Sequence, residues 1–530
     1  MTDMNFSFSY PSQRSPLLAR NVVSTSQPLA AQAGLQMLAK GGNAVDAALA
    51  AAMVLIVTEP TGNGLGGDAF AIIWDGKQLH GLNASGRAPE GWTEQRFAGH
   101  DKMPDRGWES VTVPGMVSAW VELSQKFGRL PLEELAKPAI NYARNGFAVS
   151  PVIATLWGER AAAVQDQPGF RECFMPNGRS PKAGEIFSSQ DMANSIELIA
   201  RTKGEAFYRG ELAEKIAAYA KQHDAALSLD DLNRHRLDWC GTASVGFQDV
   251  QLHEIPPNGQ GISALMALGI LSNTDVARYE PDSAEALHLQ IEAMKIAFAD
   301  ANRYVSDPDH MPFSVEELIS ADYLKGRAQE INPDRAGTPH ARAPRDSGTV
   351  YVTAADDSGM MVSYIQSNFN GFGSGVVIPG TGISMQNRGL SFVTEAGHPN
   401  RVGPRKRPFH TIIPGFVMRG DQPLMSFGVM GGPMQSQGHV QMLLRTQLWK
   451  QNPQLASDAP RWRVLDGLKV AVESTMNESA IEGLKARGHI IQPERVDTAF
   501  GFGGAQLIQR IEGGYIAGSD HRKDGFAVGF

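Results

Sequence analysis

Hydrophobic and polar positions change rhythm along this chain, and the changes separate helical from extended stretches. Residues 26–40 bring Leu29, Leu35 and Leu38 to one side of a helix; Ser26 can cap it, Pro28 suits its first turn and Gly41-Gly42 stops it. Ala44 to about Val57 is apolar nearly all round, which predicts a buried helix ending at Glu59-Pro60. The run Ala69–Trp74 predicts a strand, with a hairpin turn at Asp75-Gly76 into Leu79–Ala84. From 111 to 330 helical periodicity dominates, strongest over Ala284–Tyr304, with β character returning over Trp239–Glu254. After residue 349 the pattern is mainly β, apart from a helix predicted over Met434–Gln451.

Three glycine clusters punctuate this pattern. In Thr61-Gly62-Asn63-Gly64-Leu65-Gly66-Gly67-Asp68, Gly62, Gly64 and Gly67 spell a formal GxGxxG. A dinucleotide loop needs a strand before it and a helix after it; here the order is reversed, so turns packed against a sheet account for it better. Gly371-Phe372-Gly373-Ser374-Gly375 is a second glycine loop. Gly431-Gly432 falls between a strand and a helix start, where unsatisfied N–H groups can hold an oxyanion or simply form a turn.

Thr349 stands where a breaker-rich loop, Asn332 to Gly348, meets a strand. A cut before it would give one residue both a hydroxyl and a free α-amine. An α-amine has a pKa of about 7.7–8.0, so it can act as a base near neutral pH, and nucleophile and base would then share a residue. Local pattern alone favours the plainer reading, a threonine at a strand start.

Composition narrows the field. The chain has 530 residues and a net charge of −8, and its longest basic block is Arg405-Lys406-Arg407, which argues against a nucleic-acid partner. Cys173 and Cys240 are too few for a disulfide framework or a zinc cluster. Met1–Pro16 lacks a secretory pattern and Ala47–Val57 is too short to span a bilayer, so a cytoplasmic protein without membrane association is expected. No HExxH or CxxC occurs, and neither a metal nor a cofactor is expected.

Taken together, Gly41-Gly42-Asn43-Ala44-Val45-Asp46-Ala47-Ala48, Gly64-Leu65-Gly66-Gly67, Val113-Pro114-Gly115, Gly403-Pro404-Arg405-Lys406-Arg407-Pro408, Gly431-Gly432 and Gly518-Ser519-Asp520 resemble the γ-glutamyltransferase family of N-terminal-nucleophile (Ntn) hydrolases nearly end to end. The resemblance implies an α+β fold, a four-layer αββα sandwich, and self-cleavage before Thr349. A large chain, 1–348, and a small chain, 349–530, would then form one unit, with a dimer of such heterodimers as a further implication. It gives Thr349 the roles of nucleophile and, through its α-amine, base. Gly431 and Gly432 become oxyanion donors and Ser367 a support for the nucleophile.

The departures from the family concern the substrate. Ser85 stands where γ-glutamyl enzymes carry a carboxylate-binding arginine, with Arg87 two positions on. The stretch that holds the family's acidic residues reads Asn387-Arg388-Gly389-Leu390-Ser391, and paired serines are replaced by His410-Thr411. An acyl group with a carboxylate but no α-amine is therefore expected, gripped by Arg87 and His410 with Thr411 beside them. Phe369 and Phe372 are expected to shrink the site towards a small amide, oxamate first. Glutaryl-type cephalosporin side chains, glutathione, and a binding role without catalysis are the alternatives.

Overall fold

The computed structural model describes residues 14–339, 348–495 and 501–530. The leader reading of residues 1–13 and the loop reading of 340–347 fall outside them. Fourteen strands form two seven-stranded sheets. The first runs in the order Phe526–Gly529, Val22–Thr25, Gly348–Ala355, Met361–Phe369, Asp68–Trp74, Leu79–Ala84 and Asp238–Trp239. The second runs Leu17–Ala19, Gly514–Ser519, Gly504–Ile511, Gln422–Met430, Gly415–Arg419, Val250–Glu254 and Ala243–Phe247. Neighbours pair antiparallel, as in Val352↔Tyr364 and Phe427↔Leu507.

The two sheets stack through the strand Gly348–Ala355, every residue of which is buried. The Tyr351 hydroxyl meets Ser363 Oγ at 2.7 Å, and Thr353 Oγ1 crosses to Ser426 Oγ of the second sheet at 2.6 Å. Gly428 faces the Tyr351 ring so closely that a Cβ there would collide with it. Helices Pro28–Ala39 and Ala44–Thr58 cover the outer face of the first sheet, and Gly261–Leu271 and Met434–Leu443 cover the second, with Ala284–Tyr304 packed on Gly261–Leu271. This is the αββα sandwich expected from the resemblance.

Local chemistry explains the helix starts. Asn43 and Asp46 form a capping box, which accounts for the Gly-Gly-Asn-Ala-Val-Asp run. Asp46 also accepts from the N–H groups of Arg129 and Leu130, fixing the neighbouring chain. Ser26 does not cap the preceding helix: Gln27 does, accepting from Leu29 N at 2.7 Å, while Ser26 Oγ donates to the buried Glu59 carboxylate at 2.6 Å. The helix expected over Met434–Gln451 ends at Leu443 and continues as a π-helical turn, Leu444–Leu448. Among the described residues, no helix is long and apolar enough to cross a membrane.

Candidate active site

The strand Gly348–Ala355 runs unbroken through the Gly348–Thr349 bond, and Thr349 is completely buried. Its hydroxyl donates to the carbonyl oxygen of Gly348 at 2.8 Å and lies 3.2 Å from Ser367 Oγ. Ser367 Oγ donates to the same carbonyl at 2.7 Å and accepts from Phe369 N at 2.8 Å. Two hydroxyls thus converge on one peptide carbonyl. Ladder pairing is regular from Val350 onward, but it shifts between Gly348 and Val350, so this carbonyl sits at an irregularity.

The first glycine cluster holds this arrangement from below. A Cβ on Gly62 would stand 3.3 Å from Thr349 N, and Gly62 O accepts from Asn368 N at 3.1 Å. Gly66 pairs with Met385 and would meet Ser384 O at 2.5 Å if it carried a Cβ. These glycines bring the loop against the backbone of Thr349, and no phosphate-binding role is needed to explain them.

Asp68, directly opposite Ser367 in the sheet, closes that cluster. Its carboxylate accepts from Gly86 N at 3.2 Å and Gly115 N at 3.1 Å, and meets His410 Nε2 at 3.1 Å. Burial pushes Asp68 up to about 7, opposed mainly by the charge of Arg388, and then by the two backbone donors. His410 is also fully buried, and desolvation, followed by the charges of Arg388 and Arg407, moves its pKa well below the usual range. It is therefore a neutral imidazole held by Asp68.

Thr411 Oγ1 accepts from Arg388 Nη1 at 2.7 Å. The Arg388 guanidinium lies 4.5 Å from the centroid of the Phe369 ring. Gln260 Nε2 joins Thr411 O at 2.5 Å to Gly432 O at 2.8 Å. Hydrogen bonds and ring contact therefore connect Thr349 through Ser367, Phe369, Arg388, Thr411 and Gln260 to the Gly431-Gly432 turn. Both glycines have positive φ, 117° and 56°, which turns the end of Gln422–Met430 into the helix starting at Met434. Among the described residues, neither glycine N–H donates to a protein acceptor.

Two expectations meet a different placement. Arg87 does not join this group: its Nη1 pairs with Asp307 at 3.0 Å and donates to Arg405 O at 3.1 Å, with the side chain 39% exposed. Phe372 does not narrow the site either. It packs into an aromatic cluster with Trp157, Phe170 and Phe174. Phe369 does face a cavity of about 930 Å³, whose walls include Leu390, Ser391, Phe392, Phe409 and Thr338-Pro339. Asp68, Arg388 and Gln260 were not singled out from the sequence. A charged residue ending a glycine run and an arginine among displaced acidic positions were the signals available.

A separate cluster, His288, Glu292 and His489, has ligand atoms close enough to share a cation. The Lys295 ammonium lies 2.8 Å from Glu292 Oε1 and 3.5 Å from His489 Nδ1, so the Glu292 carboxylate already has a cation beside it.

The gamma-glutamyltranspeptidase family model matches residues 30–530. The chain is 35% identical to the glutathione hydrolase-like YwrD proenzyme of Bacillus subtilis, over 97% of this chain and 99% of that protein. It is 34% identical to the oxamate amidohydrolase proenzyme of Klebsiella pneumoniae, over 95% and 97% respectively. The solved cephalosporin acylase from Bacillus halodurans superposes with a TM-score of 0.94 at 45% identity, covering 100% of this chain and 99% of that one.

Proposed function

The chain belongs to the gamma-glutamyltranspeptidase family, and on that premise we propose that it is a self-cleaving proenzyme that matures into a hydrolase of small carboxylate amides. The observation that carries this reading is the pair of hydroxyls, Thr349 and Ser367, on the Gly348 carbonyl. Thr349 Oγ1 adds to the Gly348 carbonyl carbon, and the developing oxyanion is held by Ser367. The C–N bond then breaks as the hydroxyl proton passes to the Thr349 nitrogen, leaving an ester between Gly348 and the Thr349 side chain. Water cleaves the ester, producing a Gly348 carboxylate and a free Thr349 α-amine, and hence chains 1–348 and 349–530.

The mature reaction reuses the same atoms. The Thr349 α-amine accepts the hydroxyl proton as Oγ1 attacks a substrate amide, and that proton leaves with the departing nitrogen. The Gly431 and Gly432 N–H groups, which have no protein acceptor among the described residues, receive the tetrahedral oxyanion. One such donor is worth roughly 2.7–4 kcal/mol of transition-state stabilisation. Water then resolves the acyl-threonine.

Oxamate is the first substrate to test, since a relative bears that activity in its name. A glutaryl-type acyl group is the second reading, favoured by the cavity of about 930 Å³ beside Phe369. Intact mass and N-terminal sequencing of purified protein test the scheme. A fragment beginning Thr-Val-Tyr-Val-Thr that is missing from Thr349→Ala supports it; a chain that stays intact on long incubation and hydrolyses no amide overturns it.

A further inference from the structure

Arg388 is an unusual cation. It is fully buried on the short turn Arg388–Ser391, yet among the described residues its Nε and Nη2 have no hydrogen-bond partner. Among the described residues, the one hydrogen bond of its side chain is from Nη1 to Thr411 Oγ1. The Phe369 ring beneath the guanidinium supplies further attraction but accepts neither free N–H in a hydrogen bond. Among the described residues, no carboxylate forms an ion pair with it. Asp68, the charge it feels most, is occupied by Gly86, Gly115 and His410.

Leaving a buried guanidinium this way is costly, because each unmade hydrogen bond of a charged group costs more than that of a neutral one. Burial pushes Arg388 down to about 9, the direction a cation without a counter-ion takes. Native folds keep such a group where a ligand completes it. The two free donors match the planar fork by which arginine takes a carboxylate.

The location ties these two donors to the Thr349 hydroxyl. Phe369, under the guanidinium, donates to Ser367 Oγ, which lies 3.2 Å from Thr349 Oγ1. The same Phe369, with Leu390 and Ser391 two and three residues beyond Arg388, lines the cavity. We infer that Arg388 binds a free carboxylate on the acyl side of the scissile amide, so that the enzyme's substrates are monoamides of dicarboxylic acids and its acyl products are dicarboxylates. This rests on the amidohydrolase reading above and assigns the anionic contact to Arg388 in place of Arg87.

The test compares oxamate and glutaramate with neutral amides of matched length, acetamide and valeramide, in wild type and Arg388→Gln, using protein whose processing has been verified by mass. Wild type is expected to favour the acidic amides. Arg388→Gln should lower kcat/KM for them by about 100-fold more than for the neutral amides. Equal losses on both classes, or an unchanged preference for acidic amides, would overturn the assignment. Wild type that is inactive on every amide would sink the functional reading itself, whatever Arg388 does. If Arg388→Gln does not process, thermal unfolding of the mature wild type decides the matter. Oxalate or glutarate should raise Tm where oxamide and glutaramide-derived neutral diamides do not. Equal shifts from neutral diamides, or none from either dicarboxylate, would count against Arg388.

Discussion

Ser367 Oγ donates to the carbonyl oxygen of Gly348 at 2.7 Å, from a strand neighbouring the one that the bond belongs to. On the proposed self-cleavage, the carbonyl to be attacked is already polarised by a donor outside the reacting pair. Ser367→Ala should slow self-cleavage by about 100-fold, the usual cost of removing one oxyanion donor, and Ser367→Thr should retain most of the rate. A time course of intact mass after purification gives both rates. Equal rates for Ser367→Ala and wild type would remove Ser367 from the chemistry.

Gly62 backs Thr349 with no room to spare, since an added Cβ would lie 3.3 Å from its nitrogen and 3.4 Å from its carbonyl carbon. The strand is anchored just beyond, being paired on both sides from Val352 onward. Gly62→Ala is expected to fold and to cleave about tenfold more slowly, because small misplacements of reacting groups carry large rate penalties. Circular dichroism combined with fragment quantification separates the two effects.

Arg87 pairs with Asp307 at a part-exposed position, where ion pairs contribute little. Arg87→Ala should leave kcat/KM on an acidic amide within about threefold of wild type. A loss above about tenfold would return Arg87 to the role of carboxylate clamp.

Asp68 ties stability to pH in a direction opposite to that of most carboxylates. Its folded value, about 7, lies above the ordinary 3.8, so between those limits the folded state holds a proton that the unfolded state has lost. Its contribution to stability is therefore present at low pH and is lost as pH rises from about 4 to about 7, levelling above that. Asp68→Asn should flatten the fall of Tm over this window. Some slope should remain, because burial also pushes Glu59 up to about 7. An Asn variant with an unchanged slope would mean that Asp68 is ionised throughout.

What the sequence revealed and what it hid follow from the physics of each element. The buried second helix was legible because an apolar run of that length, opened by Asn43 and Asp46, has few other ways to satisfy its backbone. Thr349 became legible only through the family's landmarks, since a strand-start threonine has no local mark. Phe372 was misjudged because strand alternation fails around it: Phe369 and Phe372 both have positive φ, 74° and 59°, so neither side chain follows the pleat. Arg388 escaped notice because nothing in periodicity says that an arginine in a glycine-bounded turn will be buried. His410, expected to contact substrate, is buried against Asp68, a partner 342 positions away that no local spacing could suggest.

The Gly348 carbonyl and the Thr349 and Ser367 hydroxyls all lie within one folded chain, with Thr349 sealed from solvent. Maturation by this route needs no second protein molecule, so its half-life should not change on dilution. Each molecule then carries its own clock, started by folding. The active fraction of a preparation would report how long ago its chains folded, and two batches of equal concentration but different age would differ in activity per milligram.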